Sequence, residues 1–220
     1  LATKKQKEMD YIPLREPLRA LTETQAHYLL SINDNIVTFG IGPSGTGKTA
    51  VATMRAADEF AAKRIEKIII TRPIVEAGNT LGFLPGTVEM KQAPYLAPVI
   101  NELEARLGKG PLDYALKAKQ IEATPIELMR GCNWHNCWVV IDEAQNTTVG
   151  QMKMLLTRVG RNCRVIINGD VNQIDIRVES GLVDALGRLH SVCGVGVVEF
   201  TWEDVVRSRF VKDVLRAYET

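Results

Sequence analysis

One eight-residue stretch constrains this chain more than any other: Gly42-Pro43-Ser44-Gly45-Thr46-Gly47-Lys48-Thr49. It fits G-x-x-x-x-G-K-[ST], a pattern that background composition yields in about one chain in a hundred of this size. The glycines let the backbone wrap closely and aim its N–H groups at phosphate oxygens, and the N-terminus of a following helix adds partial positive charge there. Lys48 would reach the β- and γ-phosphate oxygens, and Thr49 would offer its hydroxyl to Mg²⁺. Such a loop needs a buried strand before it and a helix after it. Asn35-Ile36-Val37-Thr38-Phe39-Gly40-Ile41 reads as the strand, and Ala50, Met54, Ala57 and Ala61 form a helical stripe over 48–63.

The same alternation continues. Further apolar, β-branched runs lie at 67–71, 138–142, 164–167 and 196–200. Continuous runs of this kind suit strands covered on both faces, as in a parallel sheet. Between them, Met152, Leu155, Leu156 and Val159 form one helical stripe, Leu182, Ala185, Leu186 and Leu189 another, and Val211, Val214, Leu215 and Tyr218 a third. Thr148-x-x-Gln151 is a capping box ahead of the first. The expected class is α/β with a mostly parallel sheet. Residues 72–95, with Pro73, Gly78, Gly82, Pro85, Gly86 and Pro94, show no sustained period and are expected to be irregular.

Composition narrows the function classes. With 220 residues, 45% of them hydrophobic, the chain can bury a core without a disulfide or metal staple and is expected to form one main domain. With 27 Lys+Arg against 26 Asp+Glu, the net charge of +1 gives no whole-chain attraction to nucleic acid or membrane. No apolar run approaches a membrane span. Lys4, Lys5 and Lys7 are followed by Glu8-Met9-Asp10 rather than by an apolar stretch, which is not the pattern of a secretory signal. The start at Leu1 leaves open that residues upstream have been removed. Four cysteines (Cys132, Cys137, Cys163, Cys193) are too few for a disulfide framework and favour a reducing, cytoplasmic setting.

The loop needs an acid at the C-terminal end of another buried strand. Asp142-Glu143, after Trp138-Val139-Val140-Ile141, supplies it. Asp142 would hold Mg²⁺, and Glu143 would polarise an attacking water. A carboxylate pair at a strand end is also a common solvated edge, but beside this loop it reads as catalytic and argues for hydrolysis. Gly169-Asp170-Val171-Asn172-Gln173 follows the fourth strand and would sense the γ-phosphate, unless it is merely a turn. Arg207 and Arg209 follow the fifth, and one of them would stabilise charge on the leaving phosphate, unless both are surface cations. Cys132-Asn133-Trp134-His135-Asn136-Cys137 matches no standard zinc spacing and reads as a loop. His27 and His190 read as partly buried polar residues, and Trp134, Trp138 and Trp202 as packing residues. Arg72, Lys91 and Arg130 could meet RNA phosphates but read first as solvated charge.

Together these residues resemble the PhoH family of P-loop ATPases, themselves similar to the first motor domain of superfamily 1 helicases. Asp142 to Thr148 with Gln151-Met152-Lys153-Met154 is close to the family's second motif. Thr71-Arg72-Pro73, Gly78 and 81–86 resemble its signature in the irregular segment, and Gly169-Asp170-x-x-Gln173-Ile174-Asp175 its third motif. Asp204-Val205-Val206-Arg207-Ser208 with Arg216-Ala217-Tyr218-Glu219 resembles its C-terminal motif. The resemblance implies a three-layer RecA-like P-loop NTPase fold over 21–220, preceded by an N-terminal extension over 1–20. It also implies that Gln173 senses the γ-phosphate and that Gln25 reads the adenine edge; a solvated glutamine on an amphipathic helix is the competing account of Gln25. Ser208 and Arg209 stand where the family has histidine and proline, which leaves Arg207 and Arg209 both as candidates. Asn79 stands where the family pattern has an acid.

The expected function is ATP binding and Mg²⁺-dependent hydrolysis, which the resemblance extends to RNA remodelling, or to work beside an RNA-processing nuclease. Superfamily 1 helicases close ATP between two motor domains, whereas this chain has room for one. Either its arginines fold back onto their own site or a neighbouring subunit supplies one, and the expectation is a homo-oligomer, a ring with ATP at its interfaces. The rival is an ATP-dependent assembly module with slow hydrolysis and no unwinding. A small-molecule phosphotransferase is disfavoured, because it needs no water-activating Glu143 and no Gln173 sensor.

Overall fold

In a computed structural model, described for residues 16–73, 88–126, 129, 133–211 and 214 (88–95 in their backbone alone), the apolar runs line up as one sheet. In chain order the elements are α1 (Glu23–Asp34), β1 (Val37–Ile41), α2 (Lys48–Ala61), β2 (Lys67–Thr71), α3 (Val88–Leu107), α4 (Lys109–Lys117) and β3 (Ile121–Ala123). Then follow β4 (Cys137–Ile141), a 3₁₀ turn (Ala144–Asn146), α5 (Val149–Leu156), β5 (Cys163–Gly169), α6 (Gly181–Leu189), β6 (Val195–Glu199) and a second 3₁₀ turn (Trp202–Asp204). The sheet order is β3-β2-β4-β5-β1-β6, and every described pairing is parallel. The α/β, RecA-like reading therefore holds.

Side-chain alternation explains the three layers. On one face Ile68, Ile70, Trp138, Val140 and Ile166 pack beneath α1, α2 and α3 through Tyr28, Ile32, Ala52, Ala56, Val99 and Leu103. On the other, Phe39, Ile69, Val139, Ile141, Val165 and Ile167 pack against Met152, Leu155, Leu182 and Ala185 of α5 and α6. Both faces are covered, so the strands read as unbroken apolar runs rather than as alternating ones. The pairs Ile41↔Gly169, Ile141↔Ile167 and Thr71↔Ile141 bring the C-terminal ends of β1, β5, β4 and β2 to one edge. Residues just past those ends converge there.

Two parts of the fold differ from expectation. The chain is helical from Val88 onward, through Pro94 and Pro98, where irregular structure was expected as far as residue 95. An interior proline costs a helix about 3 kcal/mol. Here burial at helical spacing of Leu96, Val99, Leu103 and Leu107 offsets it, at about 1.5–3 kcal/mol for each large side chain. The edge strand β3 was not expected either: it is three residues long and has one buried residue to announce it, Ile121, opposite Ile68. The expected capping box of Thr148 and Gln151 is formed. Trp134 and Trp138 are buried, whereas His27 and His190 are exposed rather than partly buried. Gly78, Asn79, 81–86, Arg130, Cys132, Leu215, Tyr218 and Arg216-Ala217-Tyr218-Glu219 lie outside the described residues, as does the Lys91 side chain. No helix among the described residues is long and apolar enough to cross a membrane.

Helix α3 depends on its packing, so truncation at its fully buried Leu103 is expected to cost about 2–5 kcal/mol. Equilibrium urea unfolding of Leu103→Ala checks this, and a loss of under about 1 kcal/mol would show that the prolines are offset elsewhere.

Candidate functional site

The loop between β1 and α2 is built as the sequence requires. Gly47 caps α2 in the left-handed region (φ +86°), and a Cβ there would lie 2.7 Å from the Gln25 amide nitrogen. Conformation and space both restrict this position to glycine. Lys48 begins α2 and turns its ammonium back into the loop, donating to the carbonyls of Gly42 and Pro43 at 2.7 Å each and to the Thr46 hydroxyl at 3.2 Å. Burial pushes the Lys48 pKa down, while Asp170, Asp142 and Glu143 pull it back.

Asp142 stands one residue past β4 and meets the loop's helix directly. The Thr49 hydroxyl donates to Asp142 Oδ1 at 2.7 Å. Burial holds the Asp142 carboxyl above its ordinary range; the Thr49 hydrogen bond and Arg72 oppose this, and the neighbouring Glu143 adds to it. Glu143 adopts a left-handed conformation (φ +52°) that non-glycine residues seldom take, where the chain turns out of the strand into the 3₁₀ turn. Its Oε2 accepts a 2.7 Å hydrogen bond from Gln145 Nε2, and its Oε1 lies 3.4 Å from the Arg72 guanidinium. Gln145 in turn accepts from the Asp170 backbone N–H (3.1 Å), and Gln173 Nε2 donates to Asp170 Oδ2 (2.8 Å). One polar network thus runs from the end of β4 to the turn after β5.

These groups face one cleft of about 330 Å³, lined by Ser44, Gly45, Gly47, Lys48, Thr49, Asp142, Glu143, Asp170, Gln173 and Arg207. Of the two candidate arginines, Arg207 is the one in the cleft. Its side chain lies 3.3 Å from where a Cβ on Gly45 would stand, and the Val206 N–H donates to the Gly45 carbonyl at 2.8 Å. Arg209 is exposed and does not line the cleft. Gln25 does not line it either. It is 2% exposed, not a solvated helix residue, and braces the loop from behind: its Nε2 donates to the Thr46 carbonyl (2.9 Å) and its Oε1 accepts from the Leu21 N–H (2.9 Å).

Arg72, Pro98 and Glu102 also line the cleft and were not read as site residues. Arg72 carried a usable signal, since it follows β2 directly and every strand of a parallel sheet delivers its next residue to the same edge. Pro98 and Glu102 come from α3, whose helical character the prolines obscure.

Two outcomes follow from this geometry. In Gly47→Ala the methyl group would displace Gln25 from the loop, and a loss of about 2 kcal/mol or more is expected in chemical unfolding, with nucleotide binding lost as well. The raised Asp142 pKa means that the folded chain holds that proton to higher pH than the unfolded chain does. Stability in nucleotide-free solution therefore falls as pH rises through the raised value. Asp142→Asn keeps an oxygen for the Thr49 hydroxyl and removes the buried charge. It should melt no lower than the parent at neutral pH and lose that slope, as thermal melts between about pH 4 and 8 would record.

Comparison with known proteins agrees with the geometry. The profile of the PhoH-like protein family matches residues 17–219. Protein PhoH of Escherichia coli (strain K12) is 44% identical over 206 residues, covering 92% of this chain and 58% of that protein. The PhoH-like protein of Bacillus subtilis (strain 168) is 43% identical over 204 residues, covering 92% of this chain and 64% of that protein. The chain thus spans less than two thirds of the length of these relatives. Among solved structures, the large terminase from a thermophilic bacteriophage superposes with a TM-score of 0.51 at 12% identity, over 90% of this chain and 50% of the terminase. The same terminase in complex with ADP gives 0.50, at 12% identity, over 89% and 49%. At that identity the likeness is one of fold, that of a P-loop NTPase. A family profile over nearly the whole chain, relatives above 40% identity and an assembled phosphate loop lead to one assignment: the chain belongs to the PhoH family.

Proposed function

We propose that this chain is a Mg²⁺-dependent ATPase whose hydrolysis is coupled to RNA remodelling or RNA processing. The observation that carries the hydrolytic half is the 2.7 Å contact between Thr49 and Asp142, made in a cleft that also holds Lys48, Glu143, Gln173 and Arg207. A hydroxyl and a carboxylate oxygen on adjoining walls suit a hard cation that keeps part of its water shell. Mg²⁺ bound there would neutralise phosphate charge and hold the oxygens for displacement. Lys48 binds the terminal phosphates, and Glu143 takes a proton from the attacking water. Gln173 responds to the γ-phosphate, and Arg207 balances charge on the leaving group in its own subunit.

The RNA half, and an RNA-processing nuclease as a partner, rest on family membership. A homo-oligomer, a ring in its closed form, is part of the same proposal. Arg209 lies outside the cleft, and Phe210 beside it is 76% exposed, which supports a contact with a neighbouring subunit. A cytoplasmic setting fits the unlinked thiols of Cys137 and Cys163, 3.7 Å apart on paired strands. The hold of Arg72 and Gln145 on Glu143 favours a second reading, an ATP-dependent assembly module with slow hydrolysis.

ATP turnover with and without single-stranded RNA separates the two. Lys48→Ala is expected to abolish turnover, and Glu143→Gln to lower kcat by about 10²–10⁴-fold, the usual contribution of a general base. Turnover that rises with RNA supports the coupled ATPase. Turnover indifferent to RNA, with ATP-dependent change in mass by light scattering, supports the assembly module.

A further inference from the structure

Among the described residues, the cleft holds one cation that the hydrolytic scheme does not use. Arg72 directly follows β2, and Glu143 stands two residues past β4. The register Thr71↔Ile141 and the hydrogen bond from the Asp142 N–H to the Thr71 carbonyl (2.9 Å) fix the two strand ends side by side. Pro73, next in the chain, disfavours helical backbone at Arg72, so the chain leaves β2 extended and sets Arg72 beside the end of β4. The Glu143 carboxylate is thereby held from two directions, Oε1 by Arg72 at 3.4 Å and Oε2 by Gln145 at 2.7 Å.

The two holds differ in kind. Gln145 is 1% exposed and tied to the Asp170 N–H, so it is a fixed tether. The Arg72 contact is a single long ion pair between side chains that are 30% and 37% exposed, the sort of contact that is weak and readily exchanged. A carboxylate can take a proton from water only through a lone pair turned towards that water, and Oε1 is the oxygen without a buried tether. A guanidinium binds phosphate oxygens in the same forked geometry as a carboxylate, so an arriving phosphate competes directly for Arg72.

We propose that Arg72 is a positioning residue that restrains Glu143, and that a phosphate oxyanion drawing its guanidinium away frees Oε1 to accept the proton of the attacking water. The inference rests on Glu143 being the base. The displacing phosphate belongs either to the nucleotide, since Arg72 shares the cleft with Ser44 and Lys48, or to a nucleic-acid backbone.

The test compares the parent chain with Arg72→Gln, Arg72→Lys and Glu143→Gln in steady-state ATP turnover, with and without single-stranded RNA. Thermal melts check that each variant is folded. Arg72→Gln is expected to lose the restraint, and Arg72→Lys, which keeps the charge beside Glu143 but not the fork that phosphate competes for, to be stimulated less than the parent. If the backbone of RNA is the source, Arg72→Gln turns over several-fold faster than the parent without RNA, and RNA brings the parent up to it. If the nucleotide is the source, kcat of Arg72→Gln equals that of the parent while its KM for ATP rises several-fold. The proposal is overturned if folded Arg72→Gln matches the parent in kcat, KM and response to RNA, or if it loses kcat about tenfold or more, which would make Arg72 a transition-state group. Should Glu143→Gln retain kcat within a few-fold of the parent, the assignment of the base fails and this inference fails with it. The two failures are thus distinguishable.

Discussion

A single hydrogen bond, from the Thr49 hydroxyl to the Asp142 carboxylate, joins two elements that the chain separates widely. Thr49 sits in the first turn of α2, after β1, whereas Asp142 follows β4, and β5 lies between those strands in the sheet. The contact can form only if β1, β5 and β4 are parallel, in register and of such length that their C-terminal ends meet. Ile41↔Gly169 and Ile141↔Ile167 meet that requirement. The Lys48 ammonium, the strained turn at Glu143, and the turn of Asp170 and Gln173 all hang from these three ends, while β2 and the segment after β6 add Arg72 and Arg207.

Gathering charge at a sheet edge has a cost, visible where the site meets the core. The Asp142 carboxyl is pushed up and the Lys48 ammonium pushed down by burial, so both charges are held against their solvation preference. Glu143 occupies a left-handed conformation, worth of order 1–3 kcal/mol for a residue with a Cβ. Thr71 and Asn168, on the strands behind the site, each keep a buried side-chain group without a hydrogen-bond partner among the described residues. The Tyr28 hydroxyl, itself fully buried, donates to the other end of the Asn168 amide. The two apolar layers around Ile68, Val140 and Ile167 supply the compensating burial, which is why polar strain can be concentrated at one edge.

Legibility in the sequence followed physical scale. A glycine-rich loop between a buried strand and a helix is a local feature, as is an acid after an apolar run, so Lys48, Thr49, Asp142 and Glu143 were read directly from spacing and brought together by the fold. Short or conflicted elements were not legible. The three residues of β3 cannot show a period, and the prolines of α3 argued locally against a helix that Leu103 and Leu107 support through tertiary packing. Gln25 shows a different limit. A polar residue on a helix reads as solvated, and only the approach of Thr46 shows that its amide is a buried brace for the loop. Arg72 shares that limit in part: its place after β2 was legible, but its pairing with Glu143 depends on β2 and β4 being sheet neighbours although they lie far apart in the chain.

The segment after β6 brings Arg207 into the cleft by a route that can be followed residue by residue. Phe200 donates its N–H to the Ile41 carbonyl at 2.7 Å, extending the ladder past the end of β1, and the 3₁₀ turn at Trp202–Asp204 then redirects the chain across the phosphate loop. Val206 ties the returning chain to Gly45, and Arg207 lies where any side chain at position 45 would press against it. The absence of a Cβ at Gly45 therefore serves two surfaces, the cleft on one side and the returning chain on the other. A substitution there would press on Arg207 as well as on the loop, so the loop and Arg207 are mechanically linked. Arg209, two residues further on, escapes that constraint because the chain has already left the loop.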